Sequence, residues 1–283
     1  MPYGSLLTRR ESDLPLDLFE AIDELKRKNR AVILAHYYQD PDIQDIADVL
    51  GDSLALARAA QKTDAETIVF CGVHFMAETA KILNPGRTVL MPDLSAGCSL
   101  AEGCPAPAFA AFRQAHPDHF AITYINCSAE VKAMSDVICT SSNAEAIIRQ
   151  VPENQPILFS PDKNMGRHLI HKTGRDMLLW QGSCIVHEAF SRKKILDLKI
   201  AHQDAKVLAH PECEEPVLAM ADYIGSTSGI LRYVKEHVER SFIIATESNI
   251  IHQMKKTCPE KEFIAAPGAA DCNCNMCPHM AVN

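Results

Sequence analysis

The chain has 283 residues, a formal net charge of −8 and a hydrophobic share of 47%. That length exceeds one typical domain and suits three small ones of about 90 residues. Negative balance without a dense basic stripe argues against nucleic acid as a partner, and the lack of a signal-peptide core or a membrane-length apolar run predicts no membrane span and a soluble, cytoplasmic protein.

Short apolar runs alternate with amphipathic helical patterns from one end to the other. In the first third the runs cover residues 31–35, 67–71 and 88–91, with helical patterns over 17–28, 43–49, 54–61 and 75–83. The second third offers runs at 120–125, 137–139, 157–160 and 177–180, and the last at 206–209, 223–225, 242–245 and 262–265. Strands that alternate with helices imply parallel sheets covered on both faces. The expected fold is therefore α/β: three similar three-layer αβα domains with parallel sheets, over residues 1–105, 106–192 and 193–283.

A repeat supports that division. Asp48, Asp136 and Asp222 stand in near-identical settings, 88 and 86 residues apart, and each precedes a hydroxyl residue, Ser53, Ser141 or Thr227, that begins a turn into a helix. Near the end of each unit stands a cysteine: Cys98, Cys184 and Cys277, separated by 86 and 93 residues. Units packed around a pseudo-threefold axis would bring three thiolates together at a central site. Ligands of open α/β sheets bind beyond the carboxyl ends of the strands, where helix N-termini favour anions. The polar groups His36-Tyr37-Tyr38, Tyr124-Ile125-Asn126 and His210-Pro211-Glu212-Cys213 fall at those ends.

Eleven cysteines without a secretory signal argue against a disulfide framework. Cys71, Cys127, Cys139 and Cys258 lie on apolar or mixed stretches and read as small buried hydrophobes. The crowded Cys272-Asn273-Cys274-Asn275-Met276-Cys277-Pro278-His279 stretch reads alone as half of a zinc knuckle or as a cluster ligand loop. Cys98 and Cys184 are isolated, a spacing that suits an iron–sulfur cluster better than zinc. Three protein ligands would leave the fourth iron of a cubane open to act as a Lewis acid.

Several ordered motifs together resemble the quinolinate synthases: Leu34-Ala35-His36-Tyr37-Tyr38-Gln39, Gly51-Asp52-Ser53, Pro92-Asp93-Leu94-Ser95-Ala96-Gly97-Cys98-Ser99-Leu100, Trp180-Gln181-Gly182-Ser183-Cys184-Ile185-Val186-His187-Glu188, His210-Pro211-Glu212-Cys213 and Cys277-Pro278-His279-Met280-Ala281-Val282-Asn283. The resemblance implies three α/β domains in pseudo-threefold arrangement with a [4Fe-4S] cluster held by Cys98, Cys184 and Cys277. It implies condensation of iminoaspartate with dihydroxyacetone phosphate to quinolinate, phosphate and water in NAD biosynthesis, with L-aspartate oxidase as the upstream supplier. Carried over position by position, it implies Tyr38, Tyr124, His210 and Glu212 as the proton-moving groups. His36, Ser53, Met76, Asn126, Ser141 and Thr227 would form the substrate pocket.

Two departures stand out. Here the cysteines read Cys-x-Cys-x-x-Cys where many relatives have Cys-x-x-Cys-x-x-Cys, so Cys272 and Cys274 gain no ligand role and only Cys277 carries over. The family also implies a further helical tail beyond Asn283. Cys104 is a candidate for a redox-sensitive bridge. His74, His168, His171 and His187 read as structural histidines, and the basic stretch of Lys163, Arg167, Lys172 and Arg175 reads as a solvated loop.

Overall fold

The computed structural model describes residues 17–269 and 275–283. Eight elements recur three times in one order, helix and strand alternating. The first run is α1 (Leu18–Lys28), β1 (Ala31–His36), α2 (Pro41–Ile46), β2 (Val49–Gly51), α3 (Ser53–Lys62), β3 (Thr67–Cys71), α4 (His74–Leu83) and β4 (Thr88–Leu90). After the short α5 (Ser99–Glu102), the second is α6 (Ala106–Ala115), β5 (Phe120–Tyr124), α7 (Ala129–Ala133), β6 (Val137–Cys139), α8 (Ala144–Ile148), β7 (Ile157–Ser160), α9 (Lys163–Thr173) and β8 (Met177–Leu179). The third is α10 (Arg192–Ala201), β9 (Lys206–Ala209), α11 (Glu215–Leu218), β10 (Tyr223–Ile224), α12 (Thr227–Glu236), β11 (Ser241–Ala245), α13 (Ile250–Thr257) and β12 (Glu262–Ala265).

Each run builds one four-stranded parallel sheet with the same strand order: β2-β1-β3-β4, β6-β5-β7-β8 and β10-β9-β11-β12. This is the expected α/β architecture of three similar αβα units. The central strands are apolar on both faces, as parallel strands sandwiched by helices must be; β7 is buried at every residue and β1, β5 and β11 at all but their first one or two. Phe70, Phe159 and Phe242 on β3, β7 and β11 are almost wholly buried, each contributing about 1.5–3 kcal/mol of transfer free energy. One hydrophobic cluster runs through all three sheets, from Leu34 through Ile122 and Phe159 to Ile244.

The repeated aspartates have a structural task. Asp48 Oδ2 accepts the Ile33 N–H at 2.7 Å, Asp136 Oδ2 accepts that of Ala121 at 2.7 Å, and Asp222 Oδ2 accepts that of Val207 at 2.8 Å. In each pair the aspartate's own N–H bonds back to the same residue's carbonyl. Each aspartate thus fastens the start of the edge strand to the central strand, fixing the register that aims the strand ends.

Two expectations need correction. The helical pattern over residues 43–49 ends at Ile46, and Val49–Gly51 forms the edge strand β2, the counterpart of β6 and β10. Ala47 takes an extended conformation, which stops α2 there. The basic stretch from Lys163 is no solvated loop. It is helix α9, capped by Asp162 at its start and by Gly174 at φ 70 at its end, with Asn164 and Met165 buried. Among the described residues no helix is long and apolar enough to cross a membrane.

Candidate active site and metal centre

Register places three pairs of residues in equivalent positions. His36 lies opposite Gly51 and Tyr124 opposite Cys139, while Ala209 opposite Ile224 brings His210 to the same point of the third sheet. Two residues further on stand Tyr38, Asn126 and Glu212. The three sheets aim these groups at one cavity of about 70 Å³. His36, Tyr38, Ser53, Met76 and Cys98 line it from the first unit; Tyr124, Asn126, Ser141 and Cys184 from the second; His210, Glu212, Thr227 and Cys277 from the third part of the chain. Every residue that the sequence singled out for the site is therefore brought to one place.

The hydroxyl residues hold slightly different posts from those expected. Ser53 and Thr227 are the first residues of α3 and α12, but the caps are Asp52, which accepts from Ala55 N at 3.0 Å, and Ser226, which accepts from Gly229 N at 3.1 Å. Ser141 lies in a turn before α8, whose cap is Asn143. Released from capping, all three hydroxyls face the cavity beside helix starts, where unpaired N–H groups favour an anion.

A chain of hydrogen bonds threads the cavity wall. Tyr124 donates its phenolic O–H to Glu212 Oε1 at 2.6 Å, and His187 Nδ1 lies 2.8 Å from Glu212 Oε2. His187 Nε2 is 3.0 Å from Thr246 Oγ1, which is 2.6 Å from the Tyr38 hydroxyl; that hydroxyl is 2.8 Å from Thr227 Oγ1. All six residues are buried. Burial alone would push Glu212 up, but the imidazole of His187 and the Tyr124 hydroxyl hold it below the ordinary carboxylate range. Burial pushes His210 down to about 3 and His36 down to about 4, so both rings are uncharged at neutral pH. Burial raises the phenols of Tyr38 and Tyr124 well above their ordinary value, so both keep their protons.

His187, Thr246 and Glu247 were not picked out as site residues from sequence. His187 carried a signal, since it follows Cys184 by three residues; Thr246 and Glu247 carried none beyond standing at the end of β11. Glu247 is fully buried, accepts the Asn249 N–H at 2.8 Å and the Cys277 N–H at 3.4 Å, and is pushed up to about 8 by burial.

The thiols are suited to a metal. Burial pushes Cys98 up to about 12, Cys184 well above its usual value and Cys277 upward; Glu212 adds to each shift, with a neighbouring thiol for Cys98 and Cys184 and Glu247 for Cys277. Three such thiols become thiolates together only against a concentrated positive charge. A set of sulfur donors matches soft metals and iron–sulfur clusters. Cys184 also shares a mixed donor set with His187 and Glu212, whose ligand atoms all lie within 4.8 Å of one another and could hold a metal ion. By contrast Cys71, Cys127, Cys139 and Cys258 are buried and do not line this cavity, as expected of small hydrophobes; Cys104, read as a candidate for a redox-sensitive bridge, and Cys213 are likewise buried, free and away from it. Cys272 and Cys274 lie outside the described residues.

The family model described as Quinolinate synthetase A protein matches residues 20–283. The chain belongs to that family. Proteins named quinolinate synthase are similar to it over nearly its whole length: that of Nostoc punctiforme is 61% identical over 285 residues, covering 99% of this chain and 88% of the relative. That of Trichormus variabilis is 64% identical over 270 residues, covering 95% and 83%, and that of Microcystis aeruginosa is 62% identical over 281 residues, covering 99% and 88%. The chain is thus an enzyme of the quinolinate synthase family, with a function in NAD biosynthesis.

Proposed function

We propose that this enzyme condenses iminoaspartate with dihydroxyacetone phosphate to give quinolinate, phosphate and water, using a [4Fe-4S] cluster held by Cys98, Cys184 and Cys277. The observation that carries the reading is the convergence of three cysteines, one from each repeat, on a cavity that also gathers neutral histidines, protonated phenols and the ionised carboxylates of Asp52 and Glu212. With three protein ligands, the cluster would offer an open iron as a Lewis acid that polarises a substrate oxygen.

The remaining work falls to the chain. Ser53, Ser141 and Thr227, beside helix starts, hold the carboxylates and phosphate of two anionic substrates. Asn126 meets a different part of the substrate: its Oδ1 is buried without a hydrogen-bond partner among the described residues, leaving an acceptor for a substrate N–H or O–H. Met76 and His36 close the wall around the bound carbon skeleton. Glu212 takes up protons and Tyr124 returns them, the pair being already hydrogen-bonded. His210 lies with Nδ1 3.9 Å from Glu212 Oε1 and presents an uncharged ring for proton exchange. Tyr38, tied through Thr246 to His187, links the far side of the cavity to Glu212 and spreads a displaced proton along the chain of hydrogen bonds. L-aspartate oxidase is the proposed upstream supplier, because an imino acid hydrolyses quickly in water. Division of the chain at 105/106 and 192/193 and a cytoplasmic location belong to the same proposal.

The test uses anaerobically purified holoenzyme. Iron and sulfide are expected at about four each per chain, the cubane stoichiometry, and feeding dihydroxyacetone phosphate with enzymatically generated iminoaspartate should yield a pyridine dicarboxylate and free phosphate. Full activity without iron, or a loaded enzyme that makes no pyridine product, would overturn the reading.

A further inference from the structure

A second cavity, of about 510 Å³, lies back to back with the central one and shares Asp52, Leu54 and Ser141 with it. A polar partition stands between them: Ser142 Oγ lies 3.2 Å from Asp52 Oδ2 and 2.9 Å from Ser226 Oγ, so the starts of α3, the turn before α8 and α12 are joined by hydrogen bonds. Outward of that partition the cavity is lined by Arg58 on α3 and Arg232 on α12. These two stand at equivalent positions, five residues after Ser53 and Thr227 respectively. Both are exposed, and neither guanidinium has an ion pair or hydrogen bond among the described residues. The second unit contributes Lys172 from α9, which pairs with Glu145 at 2.8 Å.

Two unpaired guanidiniums thus stand at matched positions over one cavity in a chain of net charge −8. A net negative chain repels a dianion on average, whereas a mouth lined with positive charge raises its local concentration and its rate of arrival. Arginine forks also match phosphate and carboxylate geometry. The Asp52 carboxylate at the floor opposes firm binding there, so the arrangement suits brief capture and onward passage more than storage.

We propose that this outer cavity is a recruiting vestibule in which Arg58 and Arg232 capture small dianions, phosphate monoesters or dicarboxylates, and deliver them to the central site through the Asp52–Ser142–Ser226 partition. The inference rests on the reading that the substrates are a triose phosphate and an imino dicarboxylate. Ser142 bonds to both neighbours and Ser228 also bonds to Asp52, so passage requires both hydroxyls to move.

The test compares wild-type holoenzyme with R58A/R232A, R58E/R232E and the conservative R58K/R232K, all matched for iron content and thermal midpoint. Steered association rises by roughly ten- to a thousandfold over the unsteered rate. Removing both charges should therefore lower kcat/KM for dihydroxyacetone phosphate about tenfold, reversing them should lower it further, and kcat at saturation should stay within about twofold. Wild-type kcat/KM should fall as salt rises from about 0.01 to 0.1 M, over which the screening length contracts from about 30 to 10 Å. The alanine variant should lose that slope and the lysine variant keep it. Varying iminoaspartate in a second series shows whether one or both substrates use the route. Product formation by wild type with unchanged kcat/KM and salt slope in the alanine and glutamate variants would overturn the vestibule alone. If wild type makes no pyridine product, the functional reading fails and calorimetric titration with dihydroxyacetone phosphate decides the vestibule: R58E/R232E must bind at least about tenfold more weakly, and equal binding would overturn it.

Discussion

Tyr124 and Glu212, from different sheets and 88 residues apart, meet with the phenolic oxygen 2.6 Å from the carboxylate. The same carboxylate takes its second partner, His187, at 2.8 Å. Glu212 is thus the hub at which the second and third units join, and the group most exposed to loss of function by a change of charge alone. Glu212→Gln preserves shape and removes the negative charge. Turnover should fall about 10²–10⁴-fold, the usual contribution of a positioned acid or base, while iron content stays at the wild-type level. Tyr124→Phe should do the same more mildly. Near wild-type turnover in the glutamine variant would remove Glu212 from the proton-moving role.

The cysteines separate into two groups by position. Cys98→Ala, Cys184→Ala and Cys277→Ala should each abolish cluster assembly, read as loss of visible absorbance and of iron after anaerobic reconstitution. Cys104→Ala and Cys258→Ala, in apolar surroundings away from the cavity, should keep normal iron and lose on the order of 1 kcal/mol of stability from the small void. A normal cluster in any of the first three variants contradicts the ligand assignment.

Replacing Asp48, Asp136 or Asp222 by alanine removes one hydrogen bond to a central-strand N–H in each unit. The strand N–H then looks for water at the sheet edge, and each variant should lose about 1 kcal/mol. Thermal midpoints should drop by similar amounts in all three, with the active-site cysteines still able to bind iron. A drop confined to one unit would mean that the three contacts are not equivalent.

Gln39 ties the segment that carries Cys277 to the first unit. Its side chain is fully buried and donates to the Met280 carbonyl at 3.2 Å, and Asn283 anchors the same segment by accepting the Asp93 N–H at 2.7 Å and donating to the Gly72 carbonyl. Gln39→Leu keeps the volume and loses the bond. Iron should then pass to a chelator about fivefold faster, the ratio that corresponds to a net hydrogen bond of about 1 kcal/mol. Unchanged release kinetics would show that the segment is held by packing alone.

Much of this was legible in the sequence because the unit is written three times. Repetition marked Asp48, Asp136 and Asp222, and through them the strand ends at His36, Tyr124 and His210. The edge strand β2 escaped because a three-residue strand has too few positions to show a period of two, and the preceding Ile43 and Ile46 continue a helical spacing. Helix α9 was hidden by its charged face, although Met165 and Leu169 four apart, with Asp162 and Gly174 as caps, spelled it out. His187 was the largest omission. Its partner Glu212 lies 25 residues away and the two touch only once separate sheets have met, a relation that local pattern does not encode.

The matched eight-element runs carry one more implication. A closed homotrimer of any single unit would place the same side chain at all three symmetry-related strand ends, giving three histidines or three tyrosines around the axis. No single unit carries both members of the Tyr124–Glu212 contact, because the second has Asn126 where the third has Glu212 and the third has His210 where the second has Tyr124. Covalent linkage of the three copies lets each drift separately while the scaffold stays threefold. Chemical polarity in the cavity is thus a property of the chain's being one molecule.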